Sequence, residues 1–162
     1  MKKYKYFSMS ELCYSFKAQQ LHIDNTPNEE QKKALDYLIT SVLDPLRELW
    51  GAAIQVTSGF RCNALNSKVG GATNSQHKAG QAADIVTSSK AGTMGNYLLA
   101  RKLLESDIEF DQLILEDVGK DNLLPMWLHI STVCHCKNRN QILKKIRGKK
   151  GYIPITRKEV LG

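Results

Sequence analysis

The chain has 162 residues, 42% of them hydrophobic and 24% charged, with a formal net charge of +7. This length and balance describe one globular domain, residues 1–162, with enough apolar material for a core that needs no disulfide support. No apolar run reaches the roughly 18 residues of a membrane-spanning helix, so a helical membrane span is excluded.

The start, Met1-Lys2-Lys3-Tyr4-Lys5-Tyr6-Phe7, is basic like the first part of a secretory leader. Ser8, Ser10 and Glu11 interrupt the apolar stretch that should follow, so synthesis in the cytoplasm without a leader is expected. Residues 8–22 read as a first helix, with Ser8 or Ser10 as N-cap. Asn25-Thr26-Pro27-Asn28 breaks it, and Asn28 caps a long second helix over about 29–50. There Leu35, Leu38, Ile39, Val42, Leu46 and Leu49 recur at helical spacing, and Pro45 marks a kink or a break. Residues 53–58 alternate and read as a strand. A loop rich in Gly, Asn and Ser follows from Gly59 to about Gln81, and loops this long inside compact domains usually carry function. Residues 82–86 form a short strand, and 90–106 a helix with Leu98, Leu99, Leu103 and Leu104 turned inward. Residues 110–116 and 127–132 are two more strands. Helices and strands are partly segregated, which predicts an α+β domain.

Four cysteines, Cys13, Cys62, Cys134 and Cys136, show no disulfide-framework spacing and read as reduced, partly buried thiols. Beyond them lies a basic C-terminal tail, 137–162. Its segment from Lys137 to Lys150 holds seven bases (Lys137, Arg139, Lys144, Lys145, Arg147, Lys149, Lys150) and no acid. Such a patch attracts polyanions such as an acidic wall polymer, or simply adds solubility. It lacks interleaved aromatics and any nucleic-acid motif, which counts against nucleic acid as partner.

The most informative stretch is Ser75-Gln76-His77-Lys78-Ala79-Gly80-Gln81-Ala82-Ala83-Asp84, followed much later by Trp127-Leu128-His129. A turn at Gly80 can bring His77 and Asp84 around one point, and His129 sits mid-strand. Two imidazoles and one carboxylate suit Zn²⁺, and three protein ligands leave the open position that separates a catalytic from a structural site.

The pattern Ser-x-His-x-x-Gly-x-Ala-x-Asp with the later Trp-x-His resembles the M15 group of zinc peptidases. That group includes D-alanyl-D-alanine carboxypeptidases, dipeptidases and phage endolysins of the L-alanyl-D-glutamate type. Thr57-Ser58-Gly59-Phe60-Arg61-Cys62 resembles the group's Ser-Gly-[Tyr/Phe]-Arg stretch, and 63–71 resembles the loop leading to its first ligand. The similarity covers a core of about 7–135.

The resemblance implies a hedgehog/DD-peptidase-like fold, with a small antiparallel sheet carrying the zinc site and packed with helices. It implies His77, Asp84 and His129 as Zn²⁺ ligands, Arg61 facing the substrate or the developing oxyanion, and Ser75 close to the substrate. It implies hydrolysis of amide bonds in peptidoglycan stem peptides, as an endolysin or as a carboxypeptidase. The setting would be the cell wall after phage-type release, or cytoplasmic wall recycling.

Many members of that group carry an acid three positions before the last His, where this chain has Met126. Glu116 is the substitute: by strand alternation it shares a face with Gln112 and Ile114, and pairing of 110–116 with 127–132 would bring it to the metal. Asp111 and Asp117 are the alternatives. The missing acid also leaves open a zinc-stabilised binding or structural protein that has lost activity.

Overall fold

A computed structural model describes residues 3–162; Met1 and Lys2, where the leader-like stretch begins, lie outside the described residues. The expected first helix is two short ones, α1 (Met9–Cys13) and α2 (Phe16–Gln20). Ser8 caps α1, but the Ser15 hydroxyl accepts from Ala18 N–H and starts α2 afresh, with Tyr14 extended between them. A serine that bonds nearby backbone competes with helix continuation, and here it wins.

Asn28 and Gln31 form a reciprocal capping box that opens α3 (Glu29–Leu38). Helical backbone then continues through a π-helical segment, Ile39–Leu43, into α4 (Asp44–Trp50). Proline has no N–H and its ring would meet the carbonyl four residues back. The wider π turn, in which Asp44 N–H bonds Ile39 O, absorbs Pro45 without ending the helix. The buried stripe is Leu35, Leu38, Ile39, Val42, Leu43 and Leu46; Leu49, expected in it, is exposed.

β1 (Gln55–Ser58) leads into the long loop, which contains α5 (Asn63–Lys68) and a 3₁₀ turn, Gln76–Ala79. Then come β2 (Ala82–Val86), α6 (Gly92–Leu104), β3 (Gln112–Val118) and β4 (Trp127–Ser131). Leu98 on α6 is exposed rather than inward. The expected basic tail is not a tail, because it forms β5 (Gln141–Ile146), β6 (Ile153–Pro154) and α7 (Arg157–Leu161).

The sheet has six strands in the order β1-β2-β4-β3-β5-β6, antiparallel throughout except for the parallel pair β3–β5. The fold is therefore α+β with a mixed sheet. Asp111, just before β3, fixes the parallel return. Its carboxylate accepts from Arg139 N at 2.9 Å and from the Arg139 guanidinium at 2.7 Å, drawing the chain along β3.

Strand alternation divides the sheet into two faces. Ala83, Ile85, Leu113, Leu115, Leu128, Ile130 and Ile142 join the helices in one core. The residues between them form the other face, and there Ser58, Asp84, His129, Ile114 and Leu143 run in one row across five strands.

Gly59 follows directly on this row and lies against α1. A Cβ there would stand 2.1 Å from the Leu12 carbonyl oxygen, which is backbone and cannot swing aside. Gly59→Ala is expected to lower stability by about 1–3 kcal/mol in urea unfolding; an unchanged midpoint would mean that α1 is free to move away.

Candidate metal centre

Register alone places Asp84 directly opposite His129 on β4. His77 comes from the 3₁₀ turn, which ends at Gly80 with φ 74°. A Cβ on Gly80 would meet Gln31 O at 2.6 Å, so only glycine fits this close approach to α3. The turn carries His77 back over β2. There its Nε2 lies 3.2 Å from Asp84 Oδ1, and His129 Nδ1 lies 3.2 Å from the same oxygen.

His77 and His129 are buried, with ring centroids 5.1 Å apart at 69°. One donor atom from each of the three residues falls within 4.8 Å of the other two, a group that can hold a metal ion. No other such group of His, Cys, Asp and Glu occurs among the described residues. The cysteines are free; Cys134 and Cys136 are exposed rather than partly buried, and they do not join the cluster.

The tautomers show why a cation fits. Gly59 O can only accept, so the 2.7 Å contact makes His77 Nδ1 the donor and leaves Nε2 as the lone-pair nitrogen of a neutral ring. That lone pair faces a carboxylate oxygen, which also has only lone pairs to offer. Such an arrangement needs a shared positive charge, either a proton on the ring or a metal ion. Burial opposes ionisation of Asp84, yet the His129 and His77 rings hold its carboxyl well below the usual carboxylate range. Three neutral or anionic donors converging on one point are what Zn²⁺ requires.

The cluster opens into a cleft whose walls include Arg61, Ser75, Glu116 and Trp127. Glu116 shares the site face as expected, paired with Trp127 across β3–β4 while Ile114 pairs with His129. Burial, reinforced by the charge of Asp84, pushes the Glu116 carboxyl up to about 7.

Met126 is exposed, and its backbone N–H bonds Glu116 O at 2.9 Å. The residue that stands where an acid was expected is thus next to Glu116 in the sheet. Asp111 is committed to Arg139 and Gln76. Asp117 lines the cleft but is paired with Arg147.

Arg61 donates its backbone N–H to His77 O at 3.1 Å. Its guanidinium makes no ion pair among the described residues, and its Nε is buried without a partner. The Ser75 hydroxyl accepts from His77 N at 3.3 Å, which holds the turn.

Sequence reading missed Tyr152 and Lys145, which β5 and the turn before β6 bring into the same cleft. No motif marks them. Only the pairing of β5 with β3 places them there.

In the metal-free chain, a carboxyl whose folded pKa is raised from 4.5 to about 7 contributes stability at low pH, and that contribution is lost as pH rises through about 7. Metal-free wild type should therefore lose stability relative to metal-free Glu116→Gln between pH 4.5 and pH 7.5. Parallel curves in urea unfolding would place Glu116 in water.

A family profile described as Peptidase M15 matches residues 5–108, well over half of the chain. The matched span holds Arg61, Ser75, His77 and Asp84, and it ends before β3 and β4 with Glu116 and His129. Among curated proteins none matches the chain.

Proposed function

The chain belongs to the peptidase M15 family, and from that premise we propose that it is a zinc-dependent peptidase hydrolysing amide bonds in the stem peptides of bacterial peptidoglycan. In this reading His77 Nε2, Asp84 and His129 Nδ1 hold the metal. The observation that carries it is the convergence of those donors at the floor of an open cleft, with a buried carboxylic acid beside them.

Zn²⁺ held at these atoms would supply Lewis acidity and a lowered pKa for water near neutral pH. Glu116 takes the proton from the attacking water and returns it to the leaving amine. A carboxyl poised near neutrality suits both transfers, and a divalent cation nearby favours its ionised form. Arg61 offers its unpaired guanidinium to the carbonyl oxygen where negative charge develops. Ser75 steadies the turn carrying His77, and its hydroxyl hydrogen remains available to substrate.

A second reading, an inactive zinc-stabilised wall-binding protein of the same fold, rests on Met126 at the expected acid position. Digestion of purified peptidoglycan, followed by mass spectrometry of the products, separates the two. Zinc-loaded wild type should release stem-peptide fragments, chelator should abolish release, and Glu116→Gln should keep its zinc while losing activity by on the order of 10²-fold or more. Zinc retention with no products from wild type would favour the inactive reading. Near-normal turnover of the Gln variant would remove Glu116 as the base.

The basic segment belongs to the same proposal. No described helix is long and apolar enough to cross a membrane. Reaching the wall after phage-type release, or acting in cytoplasmic recycling, fits a peptidase with a cationic flank. Lys149 and Lys150 are exposed on the turn after β5, outside the cleft. Neutralising both should slow digestion of whole walls at low salt more than digestion of a short soluble peptide, and added salt should remove the difference. Equal loss on both substrates would assign these lysines to the fold instead.

A further inference from the structure

Apart from Arg61, a groove beside the metal cleft has no part in the chemistry above. Tyr14 and Phe16 stand on it, 58% and 62% exposed, where α1 breaks into α2. Thr57 and Ser58 of β1 also line it, and Arg61 and Val69 complete it. Arg61 and Val69 line the metal cleft too, so the groove and the cleft meet at these two residues.

The break at Ser15 is what exposes this pair of rings on one surface. On an unbroken helix, residues two apart point in different directions. With Tyr14 extended and α2 restarting at Phe16, both side chains line the same groove. A single exposed aromatic needs no explanation, but two in one groove opening onto a candidate catalytic cleft describe a contact surface.

The groove's polar chemistry is equally specific. Hydroxyls come from Tyr14, Ser15, Thr57 and Ser58, of which Ser15 already accepts from Ala18 N and Thr57 already donates to Asp84 O; cations come from Lys17 and Arg61, and no carboxylate lines it. Flat π faces with hydroxyl donors and acceptors around them match a pyranose ring, which offers a C–H face to stack and hydroxyl or acetamide groups to bond. An extended peptide would instead dock through backbone on the free edge of β1. Just past the end of β1 that path is closed against α1, because Phe60 N–H already bonds Leu12 O at 2.6 Å and Gly59 lies against the Leu12 backbone.

We propose that the Tyr14–Phe16 groove is a saccharide subsite holding an N-acetylated hexosamine of the glycan strand that carries the peptide being cut. This rests on the peptidoglycan reading above, and it makes the sugar next to the stem peptide part of what the protein recognises.

The test uses the full zinc-loaded chain and a tetramer of N-acetylglucosamine as probe. Titration followed by amide NMR should move residues 14–17 and 57–61, and Phe16→Ala and Tyr14→Ala should each weaken binding by on the order of fivefold. Phe16→Trp, which keeps a ring, should restore binding and shows that loss in the Ala variant is not misfolding. In kinetics, the preference for a disaccharide-linked stem peptide over the same peptide without sugar should fall by a similar factor in the Ala variants.

No shift at these amides up to about 10 mM tetramer, or an unaltered preference in the Ala variants, would overturn the subsite. A chain that cuts neither peptide while the tetramer still moves the groove amides would overturn the peptidase reading and leave the saccharide subsite standing.

Discussion

Two imidazole nitrogens and one carboxylate oxygen are packed within 4.8 Å of one another in a largely buried corner, and that crowding constrains everything around it. At least one contact, His77 Nε2 to Asp84 Oδ1, sets lone pairs against each other unless a cation lies between them. A protein keeps such a corner only when surrounding structure holds it rigidly. Here the rigidity is distributed. Antiparallel register sets Asp84 against His129, the Gly59 carbonyl fixes the His77 tautomer, and the absent side chains of Gly59 and Gly80 let the end of β1 close against α1 and the turn close against α3.

The division of the sheet into two faces connects this corner to the core. The same alternation that buries Ile85, Leu115 and Leu128 against the helices turns Asp84, His129 and Glu116 to the open face. Burial on that face is partial: enough to raise Glu116 to about 7, while Arg61 and Tyr152 remain within reach of a substrate. The C-terminal segment adds the far wall, and its attachment depends on Asp111. Asp111 binds Arg139 on one side and, on the other, Gln76, the neighbour of His77. One buried carboxylate therefore ties β5 to the turn that carries a metal-site histidine.

Much of this was legible in the sequence, for local reasons. Asn28 announces a capped helix, the short strand read over 82–86 is β2 at its true bounds, and the turn at Gly80 between His77 and Asp84 foretells their meeting. What stayed hidden depends on competition or on distance. Ser15 splits a segment whose apolar spacing reads as one helix. Pro45 looks like a break because a π turn leaves no mark in the residue pattern. The lysine-rich run 137–150 reads as solvated charge because its apolar residues, Ile142, Leu143 and Ile146, are too few to signal a strand without β3 beside them. With β5 unseen, the cleft wall bearing Lys145 and Tyr152 was unseen as well.

X-ray absorption at the zinc edge of the reconstituted chain tests the central claim most directly. The account predicts one zinc per chain, with two imidazoles and oxygen donors at about 2.0–2.1 Å and no sulfur, and loss of that spectrum in His129→Ala. A shell at about 2.3 Å from cysteine sulfur, or stoichiometric zinc unaffected by the loss of His129, would contradict it.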